Sequence, residues 1–161
     1  MAGDFSTLPS TAVGGSVTLA VMAGRLRVEV DGRRWAAQSG TVASSDAGAR
    51  FTMTSAGARA AFVAVRTRGF DLAPSVGADV HFVTGTGFGA DANYEASGAW
   101  TAVAGGLLGR AFVTEWLALR VRAETFVPLS RPTFLVENEG AVHRPPTLGV
   151  AGSFGAEVLF L

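Results

Sequence analysis

Leu117-Ala118-Leu119-Arg120-Val121-Arg122-Ala123-Glu124-Thr125-Phe126-Val127-Pro128-Leu129 is the most regular stretch of the chain. Leu117, Leu119, Val121, Ala123, Thr125, Val127 and Leu129 fall on one side of an extended ribbon, with Arg120, Arg122 and Glu124 on the other. A strand turns successive side chains to opposite faces, so this period of two predicts a strand with one greasy and one charged face.

The pattern recurs outward from there. Phe70, Leu72, Pro74, Val76, Ala78, Val80 and Phe82 share a face opposite Asp71, Ser75, Gly77, Asp79 and His81. Leu148, Val150, Phe154, Val158 and Phe160 oppose Gly149, Ser153, Gly155 and Glu157, and Leu26, Val28 and Val30 oppose Arg27, Glu29 and Asp31. Val13 to Met22 alternates through Val17, Leu19 and Val21. Arg50 to Val65 opens on Phe51 and Met53 and then changes phase near Gly57, which predicts a bulge. Gly98 to Val113 is too rich in small residues for its facing to be read. Seven strands result, at about 13–23, 25–37, 50–65, 70–83, 97–112, 116–129 and 148–161.

Composition narrows the class. The chain has 161 residues, enough for one domain spanning 1–161, and a mean hydropathy of +0.34. Its thirteen basic residues, all Arg, balance thirteen acidic ones, so there is no basic stripe for nucleic acid. Cysteine is absent, and two histidines without it do not make a dedicated transition-metal site. No cofactor is expected. The longest uncharged run, Phe5 to Gly24, is broken by Pro9, Gly14 and Gly15 and is no membrane helix. Nor is there a basic segment ahead of it, as a signal peptide requires.

The connections alternate in length: a tight turn at Gly24, a long loop at 38–49, a short turn at 66–69, a long loop at 84–96, a short turn near Thr114 and a long loop at 130–147. Outer-membrane barrels have this asymmetry, with tight periplasmic turns and extended external loops. Small residues on the polar faces, such as Ala73, Ser75 and Gly77, suit a narrow lumen. Trp35, Phe51, Phe70, Phe82, Trp100, Trp116 and Phe160 lie near strand ends, where interfacial girdles form. The expected fold is an all-β, antiparallel, up-and-down transmembrane β-barrel, with seven strands visible of eight.

With these features the chain resembles the small outer-membrane β-barrel proteins of the OmpA/OmpX-like type. Phe126-Val127-Pro128-Leu129-Ser130-Arg131-Pro132 and Val142-His143-Arg144-Pro145 are similar to a segment of uncharacterised Ala/Arg-rich members from GC-rich bacteria. The resemblance implies the outer membrane of a Gram-negative bacterium, with the lipid bilayer, lipopolysaccharide and the barrel-insertion machinery as partners. That machinery reads an outward aromatic at the C-terminus. Phe160 has the parity for it, although Leu161 follows.

Such barrels have an even strand number, because both termini lie on one side. Seven strands leave Val13 at the external end with nothing before it. The expectation is an N-terminal truncation that removes the first strand and signal peptide; the alternative is a short closing strand within residues 1–12.

By parity the lumen receives Arg27, Glu29, Asp31, Asp79, His81, Arg120, Arg122, Glu124 and Glu157, read as a structural network of ion pairs. Eight strands leave room for side chains and no open pore. Two other readings remain. Asp79 and His81, two residues apart on one face, would serve an outer-membrane enzyme acting on lipid or peptide, with Ser75 or Ser153 as nucleophile. A soluble lipocalin-like ligand-binding barrel would turn the apolar face inward. Gly85-Thr86-Gly87-Phe88-Gly89 precedes no helix and reads as loop, and His143 reads as a surface residue. Thr133–Val136 and Ala141–Arg144 flank Glu137-Asn138-Glu139-Gly140 as a hairpin, which makes the loop 130–147 the place for a protein partner.

Overall fold

The computed structural model of the chain describes residues 1–4, 12–41, 48–88, 95–130, 134–136, 140–143 and 147–160. Those residues contain no helix and eight strands that close into a barrel. They are β1 (Ala2–Asp4), β2 (Ala12–Ala23), β3 (Leu26–Trp35), β4 (Gly48–Phe62), β5 (Phe70–Phe88), β6 (Glu95–Phe112), β7 (Leu117–Pro128) and β8 (Gly149–Val158). Each pairs antiparallel with its successor, and β8 returns to β1.

The eighth strand lies within residues 1–12. Ala2 registers with Ser153 of β8 and Gly14 of β2, and Asp4 with Ala151 and Ala12. This is the short closing strand expected as the alternative within residues 1–12. Three residues are too few to display an alternation, which is why the sequence did not announce it.

Short turns gather at one end. Gly24 and Arg25 form a two-residue loop between β2 and β3, with Gly24 at φ 62°, a conformation glycine reaches without a Cβ clash. The Arg25 guanidinium donates to the carbonyls of Val63 and Ala64, and Arg66 donates to that of Gly24 at 2.9 Å, tying neighbouring turns together. The long connections lie at the opposite end. There Gln38–Thr41 pairs with Gly48–Phe51, so part of the expected loop 38–49 is strand. Gly85 to Phe88 likewise belong to β5, correcting their reading as loop. Phe134–Val136 and Gly140–His143 pair as the expected hairpin, whose turn 137–139 lies outside the described residues.

The expected bulge near Gly57 is not there. β4 pairs with β5 in unbroken register from Gly48↔Phe88 to Ala61↔Ser75. Phe51, Met53, Ser55, Arg59 and Ala61 all face inward. The change of phase in the sequence is a change in what fills the lumen, from aromatic at one end to charged below it. Trp35, Phe51 and Trp100 are correspondingly lumen residues, each no more than 4 % exposed, and do not form part of a girdle. Phe70, Phe82 and Phe160 do point outward, and Trp116 is exposed in the short turn before β7.

Candidate functional site

The interior has two storeys. Toward the long connections, Trp35, Phe51, Met53, Val83 and Trp100 pack with Ala2, Ala12 and Ala49. His81 belongs with them: its ring stacks on Trp100 with centroids 5.1 Å apart and planes inclined by 15°. Below lie six arginines and six carboxylates joined by ion pairs.

Arg59 is the hub. Its Nε donates to Glu124 at 2.5 Å, Nη1 to Asp31 at 2.6 Å and Nη2 to Asp79 at 2.9 Å, so one guanidinium serves carboxylates from three other strands. A planar fork with five donors suits such a junction, whereas an ammonium would engage it as a point charge. Arg33 adds a bond to Asp31 at 2.8 Å. On the short-turn side Arg27 grips Glu157 through two bonds of 2.9 Å, and Arg110 bridges Glu157 to Asp71. Glu29 gathers Arg27, Arg120 and Arg122, and Arg122 reaches Glu124 at 3.7 Å, which links the two halves.

All nine residues assigned inward by parity lie on the lumen side, eight in the ionic network and His81 among the aromatics. Arg33, Arg59, Asp71 and Arg110 were not assigned. Asp71 was visible on the polar face of its strand. Arg59 was hidden by the misread phase of β4, and Arg110 by the small residues of β6.

The glycines opposite these charges make the room. A methyl at Gly57 would overlap Asp79 Oδ1 and stand 2.5 Å from Arg59 Nη1. At Gly77 it would meet Arg59 Cγ at 2.5 Å, and at Gly106 it would meet Glu124 Cγ at 2.8 Å. Gly57→Ala is therefore expected to cost about 1–3 kcal/mol by overpacking, seen as a lower urea midpoint. Gly32→Ala, where a methyl meets nothing within 4 Å, leaves the midpoint in place.

The catalytic reading finds little to assemble it. Asp79 is spent on Arg59, while His81 lies against Trp100. Ser75 is on the same strand as His81, six residues away, or about 20 Å at the rise of an extended chain. That exceeds hydrogen-bond reach several-fold. Ser153 registers with Arg122. Among the described residues no group of three or more His, Asp or Glu is placed to hold a metal.

The outer surface reverses the usual order. Val28, Val30, Val76, Val80, Leu119 and Val121 are all exposed, Val76 by 68 %. This corrects the lipocalin-like reading, in which they would line the interior. Among the described residues, arginines appear on the outer side only at the ends: Arg34 and Arg50 toward the long connections, and Arg25, Arg66 and Arg68 at the short turns. Between them the described outward rows are Val, Leu, Ala, Gly, Thr, Phe, Pro74 and Ser97. From Phe70 to Phe82 the apolar part of the outward row of β5 runs about 40 Å along the strand, or about 30 Å along the axis at the usual tilt of about 40°.

Comparison with protein-family models finds no match to this chain, and comparison with curated proteins finds none either.

Proposed function

We propose that the protein is an outer-membrane β-barrel of a Gram-negative bacterium, with a structural or interaction role and no transport path. One observation carries this: an uncharged outer belt, bounded by arginines at both ends, encircles a charged and buried interior. Water would favour the opposite arrangement, whereas hydrocarbon requires it. The belt height is close to the roughly 25 Å apolar band of such barrels. Six positive and six negative groups neutralise one another inside, leaving neither a selectivity field nor free width for ions.

Lipid and lipopolysaccharide would meet the belt and the arginine-rimmed ends. Phe160, 93 % exposed and in phase with Phe154 and Val158, would address the insertion machinery. The Phe134–Val136 and Gly140–His143 hairpin would present a strand edge to a protein partner.

Tryptophan fluorescence tests the reading. In vesicles containing brominated lipid, Trp116, exposed at the short-turn end, is quenched, while Trp35 and Trp100 in the lumen are not. Trp116→Phe should abolish the quenching, and unheated protein should migrate as a compact species on a detergent gel. A monodisperse protein in detergent-free buffer, unquenched by lipid, would overturn it.

A further inference from the structure

At the long-connection end the outer wall is polar on one sector. Ser39, Arg50 and Thr86 lie in register across three neighbouring strand segments, with Arg50 between the two hydroxyls. Directly paired residues share a face, and all three are exposed. With Gly87 and the ring of Phe88 they line a shallow groove of about 510 Å³. Two residues nearer the belt on β5, the hydroxyls of Thr84 and Ser97 lie 3.4 Å apart. Across the barrel the same end is apolar: Val13, Leu129 and Val150 are 55 %, 66 % and 47 % exposed.

We propose that this groove binds the phosphorylated sugar headgroup of a membrane glycolipid, with Arg50 on a phosphate and the hydroxyls of Ser39 and Thr86 on the sugar. The site presupposes the membrane reading and gives such a lipid one defined place on the rim. Arg50 is unengaged: among the described residues it makes neither a hydrogen bond nor an ion pair. By contrast, Arg25 and Arg66 at the other end bond turn carbonyls, and the lumen arginines hold carboxylates. A guanidinium with its donors open takes a phosphate through two parallel bonds. Glu95 registers with Thr86 on β6, which sets its Cα about 10 Å from that of Arg50 by the usual strand spacing. Salt screens a repulsion over that distance.

Depth selects the headgroup. Thr86 lies four residues beyond Phe82, where the apolar row of β5 ends, or about 10 Å along the axis at the usual rise and tilt. The headgroup layer of an ordinary bilayer is only about 5–8 Å deep on each side. A simple phosphodiester would lie below the groove, whereas a sugar carries its substituents further out. The ring of Phe88 gives the sugar an apolar wall, and the lipid chains run down past Thr84 onto Phe82 and Val80, both on the outer face. Free phosphate would use Arg50 and leave the hydroxyls idle.

Urea unfolding from phosphatidylcholine vesicles tests this, because a ligand that binds only the folded barrel raises the midpoint. A phosphorylated glucosamine lipid, added at increasing mole fraction, should give a saturable rise, and the same lipid without phosphate should give none. Arg50→Gln should need about tenfold more lipid for the half-maximal rise, and Thr86→Val about threefold more. Both positions are exposed, so both variants keep the compact migration of the folded barrel on a detergent gel. Arg68→Gln removes an exposed charge at the opposite end and should leave the titration unchanged. No rise in wild type, an equal rise with the dephosphorylated lipid, or an Arg50→Gln titration like that of wild type overturns the proposal. So does a loss in Arg68→Gln equal to that in Arg50→Gln, which would mark a general attraction of anionic lipid. Inorganic phosphate that reproduces the full rise would assign the groove to a free anion and overturn it too. Quenching of Trp116 by brominated lipid does not involve this rim, so the membrane reading and the glycolipid site fail separately.

Discussion

Arg59→Met should lower the unfolding free energy of the barrel by about 3–5 kcal/mol. The guanidinium donates to Asp31, Asp79 and Glu124, and its removal leaves these carboxylates, each less than a tenth exposed, to share Arg33 and the 3.7 Å approach of Arg122. Arg59→Lys keeps the charge but not the fork, and falls between wild type and Arg59→Met. Arg120→Met is the control. Its single bond, to Glu29 at 3.4 Å, leaves Glu29 held by Arg27 and Arg122 when it goes, so the loss is about 1 kcal/mol. Urea unfolding of all three from vesicles, with a common slope, measures the differences. Equal stability for Arg59→Met and Arg120→Met would show that the hub geometry carries no energy.

On the outer face, Val121→Arg should cost about 2–4 kcal/mol in vesicles, the penalty for a guanidinium near the middle of an apolar band. Val121 is 54 % exposed, with no lumen neighbour to lose, so the cost comes from the surroundings and not from packing. Phe88→Arg, near the long-connection rim of β5, should cost about 0–1 kcal/mol, since the penalty falls toward the interface. If the outer face meets water, both substitutions are near neutral. The depth dependence is what separates the two solvents.

Much of this architecture was legible because alternation survives in a strand whatever surrounds it. Leu117 to Leu129 and Phe70 to Phe82 gave their faces directly, and parity placed Arg27, Glu29, Asp79 and Glu124 inside. The failures share one cause. A uniformly polar lumen would put Phe51 and Met53 on the greasy side and would need a bulge to restore order. Their odd parity runs unbroken to Arg59, and Trp35 shares parity with Asp31 and Arg33, so the signal for an aromatic storey was present. Ala2 to Asp4 carried no such signal.

The Arg59 junction also constrains how the molecule is assembled. Its partners sit 28, 20 and 65 residues away along the chain, on β3, β5 and β7. β3, β4 and β5 are neighbours, so a growing sheet already sets Arg59 beside Asp31 and Asp79, and what it lacks until β7 comes round is Glu124, a charge that hydrocarbon would not accept. Were the belt to meet lipid, neutralisation of Glu124 and curling of the wall would have to coincide, and half-formed intermediates would rest only where water still reaches them.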